Sequence, residues 1–502
     1  MKTHLMYLEQ DFDLSRPGPP QQAAVVQDLE LATLIAAMAN GDRDLASIAQ
    51  KVVLAITTDV ATILYRQNIL RDCLRNELII RAAYELTIET LIAERKNYLG
   101  ITTHYPQWIL HRSVEVMEML VSKLQRLRDI ADQHAGRFTS EGFGVMFTML
   151  QRELDDDYFA LVRRHLKQLK FQRGTLLSAR LGEGNRGADY VLRAENTPEG
   201  TWLQRILSSG PPSHSFTLPE RDESGARALS ELRDRGINLV ANAVAQSVDH
   251  IVSFFKMLSI ELGFYVCCLN LHAALAHRGE PVCFPIPSPA GYRGRKATGL
   301  YDVCLALTTD RKVVGNDLQA DSKNLCIITG ANQGGKSTFL RSVGVAQMMM
   351  QCGMFVPAQE FAANVSEGIF THYKREEDTA MESGKLDEEL RRMSAVADHL
   401  VPDALMLFNE SFAATNEREG SEIARQIVAA LTERGVEVFF VSHQYEFAQG
   451  FHAQHRPDVL FLRAERQPDG GRTFKLVEAA PLPTSFGQDL YRRIFDTAAA
   501  SA

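Results

Sequence analysis

Ile327-Ile328-Thr329-Gly330-Ala331-Asn332-Gln333-Gly334-Gly335-Lys336-Ser337-Thr338 carries the pattern G-x-x-x-x-G-K-[ST]. Leu325 to Ile328 is an apolar, β-branched run that reads as a buried strand, and Phe339 to Met350 reads as the helix that follows. Strand, glycine-rich loop and helix are the context in which this motif cradles phosphate. Glycines let successive N–H groups turn inward, and the helix N-terminus adds favourable dipole charge. Lys336 is expected to reach the β- and γ-phosphates, and the Ser337 hydroxyl to ligate Mg²⁺. Gly330, Ala331, Asn332, Gly334, Gly335, Lys336, Ser337 and Thr338 are thus the expected nucleotide-binding set. The bland alternative is a glycine turn ahead of a helix.

Two further apolar runs end in residues that suit the same site. Ala404-Leu405-Met406-Leu407-Phe408 leads into Asn409-Glu410, and a run through Val441 leads into Ser442-His443. Open α/β sheets bind ligands at the C-terminal ends of their strands, where these polar residues fall. The usual pair after the second strand of such ATPases is Asp-Glu. The Asp orients Mg²⁺, often through its waters, and the Glu positions or deprotonates the attacking water. Asn409 keeps an acceptor oxygen without the charge, so Mg²⁺ is expected to be held more weakly by Ser337 and Asn409. Glu410 keeps the base role. His443 is expected to sense the γ-phosphate through a hydrogen bond. The bland readings are a plain strand end and a structural histidine.

The 502 residues leave room for roughly two to four domains. Apolar content of 45% and charged content of 23% are ordinary for a globular protein. A net charge of −8 and a pI of about 6.0 give no global nucleic-acid signal, so any DNA contact needs a local basic face. Seven cysteines form no C-x-x-C pair, which fits reduced, buried thiols in a cytoplasmic protein and argues against a zinc site. Met1 to Arg16 is not a secretory signal. Ile251 to Ala276 is interrupted by Lys256, Glu261 and Asn270, and reads as a long buried helix rather than a membrane span.

Apolar residues at three- and four-residue spacing predict helices over Leu29 to Ala39, Asp44 to Leu99, Gln107 to His134 and Phe147 to Gln172, some of them unusually long. Period-two alternation around Gly182 to Gly187 predicts a β-hairpin near 174–194. Ser208 to Gly225 reads as a loop, Ala226 to Ala276 as one very long helix, and Pro281 to Arg295 as a boundary. Strands then alternate with helices. The expected organisation is a mainly α-helical core or lever domain over 1–285, followed by an α/β P-loop ATPase domain with a mostly parallel sheet over 286–502.

With these elements in place the chain resembles the MutS family of DNA mismatch-repair ATPases. Thr329 to Thr338 is similar to that family's T-G-P-N-M-G-G-K-S-T, with Ala331 and Gln333 departing. Val356-Pro357-Ala358 matches its V-P-A, Ile369-Phe370-Thr371 its I-F-T, and Glu377-Asp378 resembles its D-D. Asn409 to Gly420 has the length of its D-E-x-G-R-G-T-S-T-x-D-G, with Thr415 and Gly420 in register. Ser442-His443 corresponds to its T-H and Ser485-Phe486-Gly487 to its S-Y-G, while Val313 to Asn316 resembles the segment that packs on adenine. The resemblance implies an ABC-type P-loop ATPase that binds ATP and Mg²⁺ and works as a homodimer through its ATPase domains. Each domain completes the other's site, with Asn416 where the family's signature serine reaches the partner's nucleotide. It also implies helical levers that clamp DNA.

Three departures limit what is carried over. No G-x-F-Y-E-like segment occurs near the N-terminus, so direct mismatch reading by an aromatic wedge is not expected; mismatch-recognition and connector domains ahead of the core are not expected either. Asn409, Phe412-Ala413-Ala414 in place of G-R-G, and Ser383-Gly384-Lys385-Leu386 without the family's serine-threonine pair predict slow hydrolysis with ATP binding retained. The chain ends soon after Ile494, so a tetramer-forming extension is not expected.

Arg163, Arg164, Lys167, Lys170 and Arg173 recur at helical spacing and are the expected DNA-contacting residues, near the acids Asp155 to Asp157. Lys123, Arg126 and Arg128, and the loop Gly291 to Lys296, are further basic runs; the bland reading of each is a solvated face. Two functions follow: an ATP-gated DNA-binding protein, and an ATP-dependent dimerising scaffold whose partner is a protein. Neither involves a membrane.

Overall fold

The computed structural model describes residues 1–98, 106–172, 174–193, 215–219, 221–375, 384–467 and 471–483. Arg173, Glu377-Asp378, Ser383 and Ser485-Phe486-Gly487 lie outside the described residues. The chain forms two compact units: Met1–Thr3, Arg81–Phe138 and Phe143–Ser259 make the first, and His4–Ile80, Thr139–Gly142 and the chain from Ile260 onward make the second. The units interleave, where the sequence suggests a single cut at 285/286. Two buried side chains explain why the N-terminal segment joins the second unit. The Glu261 carboxylate accepts the N–H groups of Leu5 and Phe12 at 2.7 and 3.0 Å. Arg66 donates to the carbonyls of Met6 at 2.8 Å and Cys352 at 3.5 Å.

The single long helical pattern from residue 44 resolves into three helices, Arg43–Leu54, Val60–Arg75 and Glu77–Tyr98. The break before Val60 is set by Asp59, whose carboxylate accepts the N–H groups of Ala61 and Thr62. Such an N-cap contributes about 1 kcal/mol, and apolar periodicity carries no trace of it.

In the first unit, helix Pro106–His134 buries Leu110, Val114, Met117, Val121 and Leu124, the three- and four-residue stripe of an amphipathic helix. Helix Asp156–Leu169 starts at Asp155, whose side chain accepts the Tyr158 N–H. Strands β1 (Leu177–Leu181) and β2 (Gly187–Leu192) pair antiparallel, Leu177 opposite Leu192. Helix Glu223–His277, whose residues from Ile260 onward belong to the second unit, contains an 18-residue window apolar enough to cross a membrane, and 78% of that window is buried in protein. Burial accounts for its composition.

The second unit is built on two sheets. β3 (Ile286–Ser288), β4 (Arg295–Leu300), β5 (Asn316–Gln319) and β7 (Glu360–Asn364) form one, in the order β3-β7-β4-β5. The other has six strands in the order β12-β11-β6-β10-β9-β8: β6 (Leu325–Gly330), β8 (Ile369–Tyr373), β9 (Leu405–Asn409), β10 (Glu437–Val441), β11 (Val459–Arg466) and β12 (Arg472–Glu478). All its neighbours run parallel except β11 and β12. Parallel strands buried on both faces read as continuous apolar runs, which is how β6, β9 and β10 look in the sequence. Ile327, Met406, Phe408, Val438 and Phe440 pack with Ala424, Val428 and Phe447 in the core. Helix Lys336–Gln351 is buried along nearly its whole length. Its buried Gln347 and Gln351 bond to each other at 2.8 Å and to the carbonyls of Asn364 and Ser366, so their polarity costs little.

Candidate functional site

β10 lies between β6 and β9, with Val441 opposite both Ile328 and Asn409. Their C-terminal ends therefore bring the phosphate loop, Asn409-Glu410 and Ser442-His443 to one edge of the sheet. Gly330 and Gly335 have φ of +106° and +87°, values that L side chains rarely adopt, and they bend the loop at both ends. Lys336 opens the helix. Its buried ammonium donates to the carbonyls of Gly330 and Ala331 at 3.1 and 3.0 Å. Burial pushes its pKa down to about 8, with Glu410 opposing that shift. Ser337 is exposed, and its hydroxyl donates to Asn409 Oδ1 at 2.9 Å.

His443 Nε2 lies 2.6 Å from Glu410 Oε1. This contact, with Lys336 and Lys374 nearby, holds the Glu410 carboxyl below its usual range despite partial burial. Glu410 has φ +54° and Phe412 φ +61°. Left-handed backbone at non-glycine residues clusters at functional turns. Phe412 stands where the family pattern has glycine, so the backbone keeps the glycine shape without the glycine. Its ring is fully buried and stacks on His372 at 5.2 Å. Gly420 is required by proximity: a Cβ there would meet the Phe412 carbonyl oxygen at 2.3 Å.

Asn416 stands apart from the loop in sequence and role. It N-caps helix Glu417–Glu433, its Oδ1 accepting the Glu419 N–H at 3.0 Å. Asn316 is buried and ties β5 to β12, donating to the Phe474 carbonyl at 3.2 Å and accepting the Leu476 N–H at 2.7 Å. Sequence reasoning missed Lys374 and the left-handed Phe412. The loss of glycine at 412 was the signal for the second; nothing in the local pattern marks the first.

Mg²⁺ is ordinarily held in proteins by one or two carboxylates together with substrate phosphates and waters. Here Ser337 and Asn409 offer neutral oxygens bonded to each other, and the Glu410 carboxylate is turned to His443. This donor set does not fit a tightly held Mg²⁺.

Of the expected DNA-contacting residues, Arg163, Arg164 and Lys167 lie on helix Asp156–Leu169 and Lys170 caps its end, but only part of this run faces solvent unpaired. Lys170 pairs with Glu118 at 2.7 Å and Arg163 donates to Gln125; Arg164 and Lys167 are exposed. The other basic runs are neutralised. Lys123 and Arg126 share Glu89, and Arg128 meets Asp132 and Asp156. The 291–296 run, expected as a loop, ends in the first two residues of β4; Arg293 meets Asp403, Arg295 is buried against Glu437, and Lys296 pairs with Asp321.

Residues 58–278 match the MutS2 N-terminal domain, and residues 326–493 match MutS domain V. Among curated proteins, the DNA mismatch repair protein MutS of Thermotoga maritima is 35% identical over 238 residues, covering 47% of this chain and 30% of that protein. MutS of Thermotoga neapolitana is 29% identical over 235 residues, covering 47% and 29%. MutS protein homolog 4 of Mus musculus is 24% identical over 256 residues, covering 50% and 25%. The match thus spans less than a third of each relative's length. Two domain matches that follow one another along the chain, over a site with the phosphate loop and its strand-end partners in place, make this protein a member of the MutS family.

Proposed function

We propose that this chain is a cytoplasmic ATP-binding protein that hydrolyses ATP slowly and binds DNA, mismatched or branched, in repair or recombination, as a dimeric clamp gated by nucleotide. The observation that carries the reading is the convergence of Lys336, Ser337, Asn409, Glu410 and His443 at adjoining strand ends. The phosphate loop's N–H groups and the Lys336 ammonium would take the phosphate charge. Glu410 would orient the water that attacks the γ-phosphorus, giving ADP and phosphate. A carboxylate held below its ordinary pKa accepts a proton poorly, so positioning outweighs base catalysis. Slow turnover follows, and no step is assigned to Mg²⁺. In the dimer, Asn416 would approach the partner's nucleotide from its helix N-terminus.

The pairing of Lys123, Arg126, Arg128, Lys170, Arg293, Arg295 and Lys296 with acids favours a second reading, an ATP-dependent dimerising scaffold acting on a protein. Gel shifts with homoduplex, mismatched and branched DNA, with and without ATP across a salt series, separate the two. Retardation that weakens with salt and responds to ATP is expected, and Lys336→Ala should remove the ATP response. Failure to retard any DNA at low salt sinks the DNA reading.

A further inference from the structure

Lys374 directly follows edge strand β8, and its N–H donates to the Asn409 carbonyl at 2.9 Å. Neighbouring strands lie about 4.8 Å apart, so the long, flexible Lys374 stem reaches the space in front of Asn409 and Ser337. A cavity of about 300 Å³ opens there, lined by Ser337, Thr338, Asn409, Lys374, Arg341 and Arg375 together with Asp28 and Glu30. Both acids pair with the cavity's own arginines. Asp28 pairs with Arg375 at 2.8 Å, and Glu30 pairs with Arg341, which also meets Asp302 at 2.5 Å. Lys374 is exposed, and among the described residues its ammonium has no hydrogen bond or ion pair. Its charge nonetheless acts on Glu410, which marks it as near the site.

We propose that nucleotide binding here does not require a divalent cation, because Lys374 supplies the positive charge beside the phosphates that a metal would otherwise bring. This rests on the nucleotide reading of the phosphate loop. The charges balance: an acid at position 409 with a divalent cation leaves one net positive charge, and neutral Asn409 with Lys374 leaves the same. The ammonium also needs no carboxylate to hold it, whereas Mg²⁺ does.

The test is calorimetric titration of the full chain with ATP in buffer containing EDTA and in buffer containing excess MgCl₂. The two dissociation constants should agree within about threefold. Lys374→Ala should weaken binding about tenfold in EDTA, the loss of one charge-assisted contact, and less than about threefold in MgCl₂. Lys374→Arg should restore binding in EDTA. Binding in MgCl₂ but not in EDTA overturns the inference and leaves the nucleotide site standing, as does equal weakening of Lys374→Ala in both buffers. No binding in either buffer overturns the nucleotide site and the inference with it.

Discussion

His443 Nε2 and Glu410 Oε1 lie 2.6 Å apart at the ends of adjacent strands. The contact fixes the carboxylate and keeps it ionised. Glu410→Gln preserves shape and removes charge. It should lower ATP turnover about 10²-fold or more while ATP still binds, because water positioning is lost and phosphate contacts are not. His443→Ala should cost less, since Glu410 retains its charge. Phosphate release beside an ATP titration separates the effects. Equal turnover for wild type and Glu410→Gln would remove Glu410 from the chemistry.

Asn409→Asp restores a carboxylate 2.9 Å from the Ser337 hydroxyl. It should raise turnover and make it steeply dependent on Mg²⁺, by about tenfold or more for one charge-assisted interaction. Steady-state hydrolysis across a MgCl₂ series measures both. If the wild type already turns over at the rate of Asn409→Asp, the absence of the acid does not limit hydrolysis.

Lys336 should make ATP affinity pH-dependent. Burial lowers its pKa from 10.5 to about 8, and bound phosphate favours the charged form. Below about 8 the ammonium is present and affinity is full. As pH rises through that value the free protein loses the proton, and affinity should fall by up to about tenfold per pH unit. Binding above that value should take up a proton. The same shift acts oppositely on folding. The buried charge costs stability at low pH, and that cost is relieved as pH climbs from about 8 toward 10.5. Titrations in two buffers of different ionisation enthalpy detect the proton, and flat affinity through this window would refute the assignment.

What the sequence discloses follows from how each element is stabilised. β6, β9 and β10 are local apolar runs, and the residues after them are legible because a parallel sheet presents its strand ends together. The sheet of β3, β4, β5 and β7 is not legible. Asn316-Asp317-Leu318-Gln319 and Arg295-Lys296-Ala297 carry no alternation; they are held by long-range contacts, such as Arg295 Nε to Glu437 Oε1 at 2.8 Å and its Nη1 to Gln347 at 2.7 Å. Apolar periodicity likewise runs through the break at Asp59, and charge runs do not say that Lys123 and Arg126 both meet Glu89.

Phe412 offers a test in which two opposing terms can be weighed. Its φ of +61° costs a non-glycine residue roughly 1–2 kcal/mol. Its fully buried ring, packed on His372 and Phe408, contributes about 3–5 kcal/mol against truncation. Packing wins, which explains why a phenylalanine persists in a glycine-shaped turn. Phe412→Gly should therefore destabilise the protein, by about 2–4 kcal/mol once the strain is relieved and unfolded-state entropy is added. Phe412→Ala loses the same ring and keeps the strain, so it should be less stable than Phe412→Gly by about 1 kcal/mol, the reverse of the ordinary preference for alanine over glycine. Denaturant unfolding of the three proteins gives the order directly. If Phe412→Ala proves as stable as Phe412→Gly, the turn is not strained and the glycine shape has another cause.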